Sequence, residues 1–187
     1  MAGKNVPMIN ILIPIETSSR ELLHKVYLCH LLALKGFKCY LGNKAFINHL
    51  MEKMQGYIYL DKGYHKGQSE KIYEIVKKNK GIIINLDEEG AVDFSNNITL
   101  LSRYARPLFL AADIVFLWGR RQYNIVEDNI SDKGRVFVSG HPRFELLKKQ
   151  YYMLYQDEVA NIKSQYGDFI LINTNMGYGN NILGDEY

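Results

Sequence analysis

Short, continuously apolar segments alternate along the chain with longer segments in which apolar residues recur every three or four positions. Continuous runs of this kind are typical of strands buried on both faces, and the longer period is typical of helices with one apolar face. The alternation predicts a parallel sheet flanked by helices, so the expected fold class is α/β with a Rossmann-like sheet. The predicted strands are MINILIPI, FKCYLG, YIYL, GIIINLD, ADIVFLW and GRVFVSG.

The helix pattern is clearest in SSRELLHKVYLCHLLALKG. Ser18 or Ser19 is suited to cap its start, and Gly36 is suited to end it. The apolar residues that define its pattern are Leu22, Leu23, Val26, Tyr27, Leu31 and Leu34. Further helices are predicted for NKAFINHLMEKM, SEKIYEIVKKNKG, residues 92–106 and RRQYNIVEDNI, and DKGYHKGQS is predicted to be an exposed turn.

The rhythm changes after GRVFVSG, which suggests a domain organisation in three parts. Residues 1–150 are expected to form a Rossmann-like domain and residues 151–167 a helical connection. Residues 168–187 begin with a new apolar strand, DFILINTN, which opens an incomplete second domain or, alternatively, adds to the edge of the first sheet.

Composition narrows the functional classes. The formal net charge of +3 over 187 residues is too small to predict nucleic-acid binding. Cys29 and Cys39 are expected to be buried free thiols in a reducing compartment. The start of the chain does not resemble a signal peptide, and the longest apolar stretch is too short for a membrane span. A cytoplasmic protein, or one attached peripherally to the inner membrane, is therefore expected.

Ligands of open parallel sheets bind beyond the carboxyl ends of the strands, so the residues after each strand are the candidates for chemistry. Glu16 follows the first strand and can face a substrate. Thr17 and Ser18 offer hydroxyl and backbone N–H groups to an anion at a helix start, and Arg20 can hold a phosphate or carboxylate. Alternatively, Glu16 and Glu21 only suit the helix dipole, and Arg20 pairs with one of them.

Three consecutive carboxylates follow the strand GIIINL: Asp87, Glu88 and Glu89, before Gly90. Crowding of like charges can raise one pKa and produce a general base, and Gly90 lets the backbone approach a ligand. The alternative is a solvated acidic turn. Oxygen ligands for a divalent metal are also present, although no His or Cys stands nearby in sequence.

Two later strand ends carry aromatic and basic residues. Trp118 and Gly119 precede two arginines, so this loop can grip a nucleotide or sugar phosphate, or it can be a half-buried Trp beside a basic turn. His141 and Arg143 follow GRVFVSG, where His141 can bind phosphate or donate a proton, or can be a simple polar residue. The other histidines, His24, His30, His49 and His65, show no metal-ligand spacing.

Five short motifs carry a family resemblance: IPIETSSREL, DEEG, FLWG, SGHPRFELL and FILINTN. In this order they resemble bacterial surface carbohydrate biosynthesis proteins, over about residues 11–175. Those proteins are similar to glycosyltransferases of the GT-B architecture, in which two Rossmann-like domains face each other. Because members are roughly twice as long, the resemblance implies that this chain holds the acceptor-side domain and the first strand of a truncated donor-side domain.

The chain departs from that family at the turn after GRVFVSG. Members often carry Asn-Pro-Arg where this chain has His141, and Asp where it has Glu145. A looser similarity links Glu88-Glu89-Gly90 and His141-Pro142 to bacterial sialyltransferases, which use a CMP-sugar and place a base in the first motif and a phosphate grip in the second. Here the His-Pro pair precedes the donor-side domain, and related β-Kdo transferases keep a CMP-sugar donor as a hypothesis.

The resemblance implies a glycosyltransferase of surface polysaccharide, lipopolysaccharide or capsule assembly that moves a sugar from a nucleotide donor to a glycan hydroxyl. The expected base is Glu88 or Glu89, then Asp87 or Glu16, and Arg20 and Arg143 are the expected anion-binding residues. No cofactor and no metal are implied. The partners are a nucleotide sugar, a glycan acceptor and a missing half or partner chain, without which this chain is expected to be inactive. The alternatives are a nucleotide-sugar 2-epimerase and a non-catalytic docking module.

Overall fold

A computed structural model of the chain describes residues 8–89 and 96–172. It contains one six-stranded sheet in the order β2-β1-β3-β4-β5-β6, and every neighbouring pair is parallel. The predicted α/β, Rossmann-like fold class is confirmed. The strands are β1 (Asn10–Ile15), β2 (Lys38–Asn43), β3 (Ile58–Asp61), β4 (Ile82–Leu86), β5 (Ile114–Leu117) and β6 (Val136–Val138).

Helices connect the strands at the predicted places. The segment predicted for residues 92–106 contains two short helices, and residues 92–95 lie outside the described residues. Short 3-10 turns occupy Glu127–Asn129, Lys133–Arg135 and Lys149–Tyr155. The helices are α1 (Ser18–Leu34), α2 (Lys44–Lys53), α3 (Ser69–Lys78), α4 (Ile98–Arg103), α5 (Arg106–Ala111), α6 (Arg120–Val126), α7 (Pro142–Glu145) and α8 (Gln156–Tyr166).

The main hydrophobic core lies on one face of the sheet. Alternate residues of the central strands, such as Leu12, Ile83 and Val115, pack there against helices α2 to α6. Ile11 and Ile13 are also buried but lie outside this cluster, because they point to the opposite face. Helices α1 and α7 contact each other, and α1 contributes no buried apolar residue to the main core.

Helix α1 turns its polar face inward, contrary to the usual arrangement of an amphipathic helix. Glu21, His24 and Lys25 are buried, with 0–3% of their surface exposed. Five of the six apolar residues whose spacing predicted the helix are 43–70% exposed: Leu22, Leu23, Val26, Leu31 and Leu34. The helix was therefore predicted correctly from its period, and its orientation is set by charged partners on the sheet.

The segment DKGYHKGQS is not an exposed turn throughout. Asp61, Tyr64 and Ser69 are buried, and only the middle of the loop, residues 65–68, is exposed. Asp61 accepts hydrogen bonds from Tyr73 Oη and Asn85 Nδ2, both at 2.6 Å. These bonds tie the end of β3 to α3 and β4, which is why a sequence rich in glycine and polar residues is held in the interior.

The chain divides into two compact units, residues 1–147 and 148–187. In the second unit the described residues form the last 3-10 turn and α8, and none of them is buried. Residues 168–172, the described part of the predicted strand DFILINTN, form no strand and are exposed. The rest of that segment lies outside the described residues, and the assignment of a second domain stays a prediction.

No helix among the described residues combines the length and the apolar character needed to span a bilayer. Cys29 and Cys39 form no disulfide and are half-buried rather than buried; Cys39 belongs to β2, an edge strand of the sheet with no fully buried residue. Burial raises the pKa of the Cys29 thiol to about 12, so it stays protonated and unreactive near neutral pH.

Candidate functional site

The carboxyl ends of the strands bring the predicted site residues to one edge of the sheet. Glu16 follows β1, Asp87 follows β4, Trp118 follows β5 and His141 lies just beyond β6. Strand order reverses between β1 and β3, which pair over only two residues at their start, so a crevice opens between their later parts. Ligands of such sheets bind at this reversal.

The three consecutive acidic residues diverge instead of crowding one another. Asp87 turns to the side of α4, where Arg103 Nε lies 2.8 Å from its carboxylate. Glu88 turns to the opposite face, under α1, and Glu89 extends outward with 55% of its side chain exposed. Alternation directs Asp87 and Glu88 to opposite faces, and Glu89 lies beyond the bend at Glu88, so each carboxylate has its own environment.

Burial, and only to a minor degree the neighbouring charges, raises the pKa of Asp87 to about 7. The Arg103 guanidinium and the backbone N–H of Glu89, which donates to Oδ1 at 3.0 Å, offset part of that effect. The indole N–H of Trp118 donates to the Asp87 carbonyl at 2.8 Å and fixes this loop to the end of β5. One of the three acids therefore has a raised pKa near neutral pH, and burial rather than the crowding of like charges is the main cause.

Glu88 is the centre of a buried ion-pair network. His24 Nε2 and Lys25 Nζ approach its Oε1 at 3.2 and 3.1 Å, and His141 Nε2 approaches Oε2 at 3.3 Å. Burial would raise the pKa of Glu88, but hydrogen bonds from His141 and His24 and the charge of Lys25 outweigh it and hold that pKa well below its usual range. Glu88 is therefore an ionised anchor and is unsuited to accept a proton.

Three potential metal ligands converge in this network, since the ligating atoms of His24, Glu88 and His141 lie within 4.8 Å of one another. The hydrogen bonds of His141 disfavour a metal here. Its Nδ1 accepts the Arg143 N–H at 3.1 Å, so the ring proton is on Nε2, the nitrogen that faces Glu88 and would have to bind the ion. Lys25 adds a positive charge beside the same carboxylate. The arrangement fits a hydrogen-bonded ion-pair network better than a metal centre.

The predicted anion site at the start of α1 is occupied by the chain itself. The Glu21 carboxylate accepts the backbone N–H groups of Glu16 and Thr17 at 3.3 and 3.2 Å. Thr17 is the residue before the helix, so neither Ser18 nor Ser19 caps it, and both serines are exposed. Thr17 and Ser18 therefore lie at the crevice, but the Glu21 carboxylate already binds the backbone N–H groups at the start of their helix.

Lysines hold that carboxylate in place. Although burial opposes ionisation of Glu21, hydrogen bonds from Lys25 and Lys62 lower its pKa to about 2. Lys62 also binds Glu16, together with Lys44, and the hydrogen bond from Lys62 is the main cause of a lowered pKa at Glu16. Glu16 is half-exposed but ionised, which makes it an anion at the rim and a poor base.

Arg20 joins the two groups of carboxylates across the crevice. Its guanidinium lies 3.5 Å from Glu21 and 3.8 Å from Glu89. Residues after β1 and after β4 therefore border the same opening, as the sequence predicted. Arg20 is one-third exposed and pairs with acidic residues, so it is less free to bind an anion than its position in sequence suggested. The small cavity beneath, beside Lys25 and Lys62, has space for about one water molecule.

Beyond β5 and β6, the carboxyl edge of the sheet carries a group of aromatic rings together with Arg143. The rings of Trp118 and His141 lie 4.5 Å apart, and Phe144 meets Trp118 edge-on at 5.4 Å. The Arg143 guanidinium lies over Trp118 at 5.7 Å and over Phe144 at 5.4 Å. Gly140, with φ of +79°, makes the sharp turn that returns His141 to the sheet. Burial lowers the pKa of His141, which acts as a structural link.

No known protein family matches the chain, and no curated protein matches its sequence. The site therefore has to be interpreted from its own geometry.

Sequence reasoning found the edge but missed four of its members. No sequence motif marks these four residues, which are His24, Lys25, Lys62 and Arg103. Each pairs with a carboxylate that is distant in sequence, as His24 and Glu88 show, since they are 64 positions apart. The available signal was the polar stripe of α1 opposite its leucines. Gly119 precedes α6, as expected for a strand-end loop, and Gly90 lies outside the described residues.

Proposed function

We propose that this protein is a glycosyltransferase-like domain that binds the acceptor in bacterial surface polysaccharide synthesis and works with a nucleotide-sugar donor. The observation that carries the proposal is the shared rim at which Glu16 and Asp87–Glu89 border one crevice of a parallel sheet, with Arg20 between them. The resemblance of the motifs around these residues to surface carbohydrate biosynthesis proteins supports the same conclusion.

Glu89 is the acceptor-activating base in this proposal. A base must reach the proton that it removes, and Glu89 is the carboxylate of the acidic triplet that solvent and substrate can reach. It takes the proton of an acceptor hydroxyl, whose oxygen then attacks the anomeric carbon of the donor while the nucleotide leaves with the bonding electrons. Asp87 and Glu88 are only 2% exposed and position the loop from which Glu89 projects.

A transfer assay with labelled UDP-, GDP- and CMP-sugars and short glycan acceptors tests the proposal. It is run with the chain alone and with any α/β protein encoded directly beside it, because the resemblance implies that donor contacts lie in a second domain. Labelled glycan is the expected product. Glu89→Gln should lower kcat by about 10²-fold or more with little change in KM.

Two outcomes would contradict this assignment. A donor that changes its sugar when no acceptor is present would indicate an epimerase. Full turnover by the Glu89→Gln variant would remove Glu89 from the chemistry. Glu127→Gln is a matched control, since Glu127 is a half-exposed carboxylate far along the chain, beyond α6, with one lysine partner.

A docking module is the second candidate, and the exposed leucines of α1 are the observation that favours it. Leu22, Leu23 and Val26 are each 44–48% exposed on one helix, next to the carboxyl edge. Apolar patches of this kind often mark contact with another protein. Size-exclusion chromatography with the adjacent encoded protein tests it: co-elution without any transfer activity in the mixture would favour docking over catalysis.

A further inference from the structure

Arg143 lacks an acidic partner in the part of the chain that the structure describes, unlike the cations of the carboxyl edge that are paired with Glu16, Glu21, Asp87 or Glu88. Among the described residues, none of its guanidinium nitrogens lies within 4.0 Å of a carboxylate, and its hydrogen bond from Nη2 goes to the backbone carbonyl of Glu88 at 3.3 Å. The lysines and arginines that do pair with carboxylates at this edge are Arg20, Lys25, Lys44, Lys62 and Arg103. One of the five guanidinium N–H donors is thus used, and the positive charge is not neutralised locally.

Two aromatic rings flank this guanidinium and remain open to a ligand. Both rings lie at the carboxyl edge: Trp118 is half-buried, and Phe144 is 44% exposed. Trp118 is held by its hydrogen bond to the Asp87 carbonyl and by the ring of His141, which lies 4.5 Å away. A rigid ring of this kind offers an apolar face against which the C–H face of a sugar can pack.

The charge around this surface favours an anion. Arg120 and Arg121 follow Trp118 closely in sequence, and both are exposed without an ion pair to a described residue. An arginine fork binds carboxylate and phosphate through paired N–H donors, which a neutral sugar cannot exploit.

We propose that Trp118, Arg143 and Phe144 form a subsite for an anionic sugar, a pyranose ring that carries a carboxylate or a phosphate. The ring packs on Trp118 and Phe144, and the anionic group pairs with Arg143. The inference rests on the proposed function, because it names the substrate class of the acceptor side of the same edge. It places that substrate near Glu89, since Arg143 also binds the backbone of Glu88.

The single tryptophan of the chain gives a direct measurement. The protein is titrated with methyl glucuronide, glucose 1-phosphate, methyl glucoside and inorganic phosphate, and the indole N–H resonance and fluorescence of Trp118 are followed. Either charged sugar, or both, should shift these signals saturably, and the two arms distinguish carboxylate from phosphate as the anion. Methyl glucoside and inorganic phosphate should bind at least about tenfold more weakly.

Variants connect the signal to the proposed contacts. Arg143→Gln should weaken binding of the charged sugar by roughly tenfold or more, and Arg143→Lys should restore only part of it. Arg135→Gln is the matched control, since this exposed arginine precedes β6 and so lies at the opposite edge of the sheet. It should bind as the wild type does.

Equal binding of methyl glucoside and methyl glucuronide would overturn the role of the anion, and equal binding of inorganic phosphate would overturn the role of the ring. No response to any of the four compounds, or an unchanged affinity in Arg143→Gln, would overturn the subsite altogether. No donor is present in this experiment. Failure of the proposed function would appear instead as absent transfer with intact binding, so the two failures are distinguishable.

Discussion

Glu88 is 2% exposed, whereas the side chain of Glu89, the next residue, is 55% exposed. Both residues lie in the turn after β4, where Glu88 is directed under α1 and Glu89, beyond the bend at Glu88, extends outward towards Arg20. Adjacent residues of the same type therefore have separable roles: Glu88 holds the charged network together, and Glu89 is available for substrate.

A pair of identical substitutions separates these roles. Glu88→Gln leaves Lys25 buried without its full complement of negative charge, so we expect a loss of about 3–5 kcal/mol in the free energy of unfolding, measured with urea. Glu89→Gln should change that free energy by less than about 0.5 kcal/mol. Similar stability of the two variants would mean that the network contributes little to the fold.

Asp87 should make stability depend on pH in an unusual direction. Its pKa is about 7 in the native state and near 3.8 in the unfolded chain, so between these values the native state binds more protons. The contribution of Asp87 to the free energy of unfolding therefore falls as pH rises from about 4 to about 7. In urea unfolding at several pH values, Asp87→Asn should remove this slope relative to the wild type. Parallel curves for the two proteins would refute the raised pKa.

Gly63 should resist substitution because it approaches Asp87. Its φ is +144°, and an added Cβ would lie 2.9 Å from Asp87 Oδ1. We expect Gly63→Ala to lower the free energy of unfolding by about 1–3 kcal/mol, measured by thermal or urea denaturation. Gly67→Ala, at φ of +80° in open space, is the control for backbone strain alone and should cost less.

At the scale of elements, the helix period and the continuous apolar runs correctly predicted the six strands and the helices between them. They could not predict the orientation of α1, because its period is the same whichever face is buried. The decisive interaction is Lys25 with Glu88 at the end of β4, whose proximity depends on the assembled sheet. The same limit explains why the shared rim was predictable from strand ends, whereas His24 was missed.

Two neighbouring residues test the inverted face of α1. Lys25→Ala removes a cation that binds Glu21, Glu88 and the Pro14 carbonyl, and it should destabilise the fold by about 3–5 kcal/mol in urea unfolding. Val26→Ala removes an exposed apolar side chain and favours helix, so its effect should be below about 1 kcal/mol. The reverse order of these two effects would place Val26, and not Lys25, in the interior.

At the scale of the whole molecule, the sheet and its buried residues lie within the unit that ends at Leu147. No described residue of the second unit is buried, so that unit adds no core of its own in residues 148–172. From this distribution we expect the first unit to be stable on its own.

A chain that ends at Leu147 should therefore fold. Its circular dichroism spectrum should show the helical content of α1 to α7, and its urea transition should be cooperative. We expect its free energy of unfolding to lie within about 1 kcal/mol of that of the longer chain. Trp118 fluorescence follows the same transition. Aggregation, or a non-cooperative transition, would show that residues after 147 complete the core.

The position of β1 has a consequence for biosynthesis. Of the six described strands, β1 leaves the ribosome first, yet it lies inside the sheet, between β2 and β3. Once β2 has paired with one edge of β1, the other edge stays unpaired until residue 61 has been made, and α2 is added in the meantime. Most proteins tolerate the removal of a few terminal residues. Here, a truncation that extends past Asn10 would remove part of a strand from the middle of the sheet.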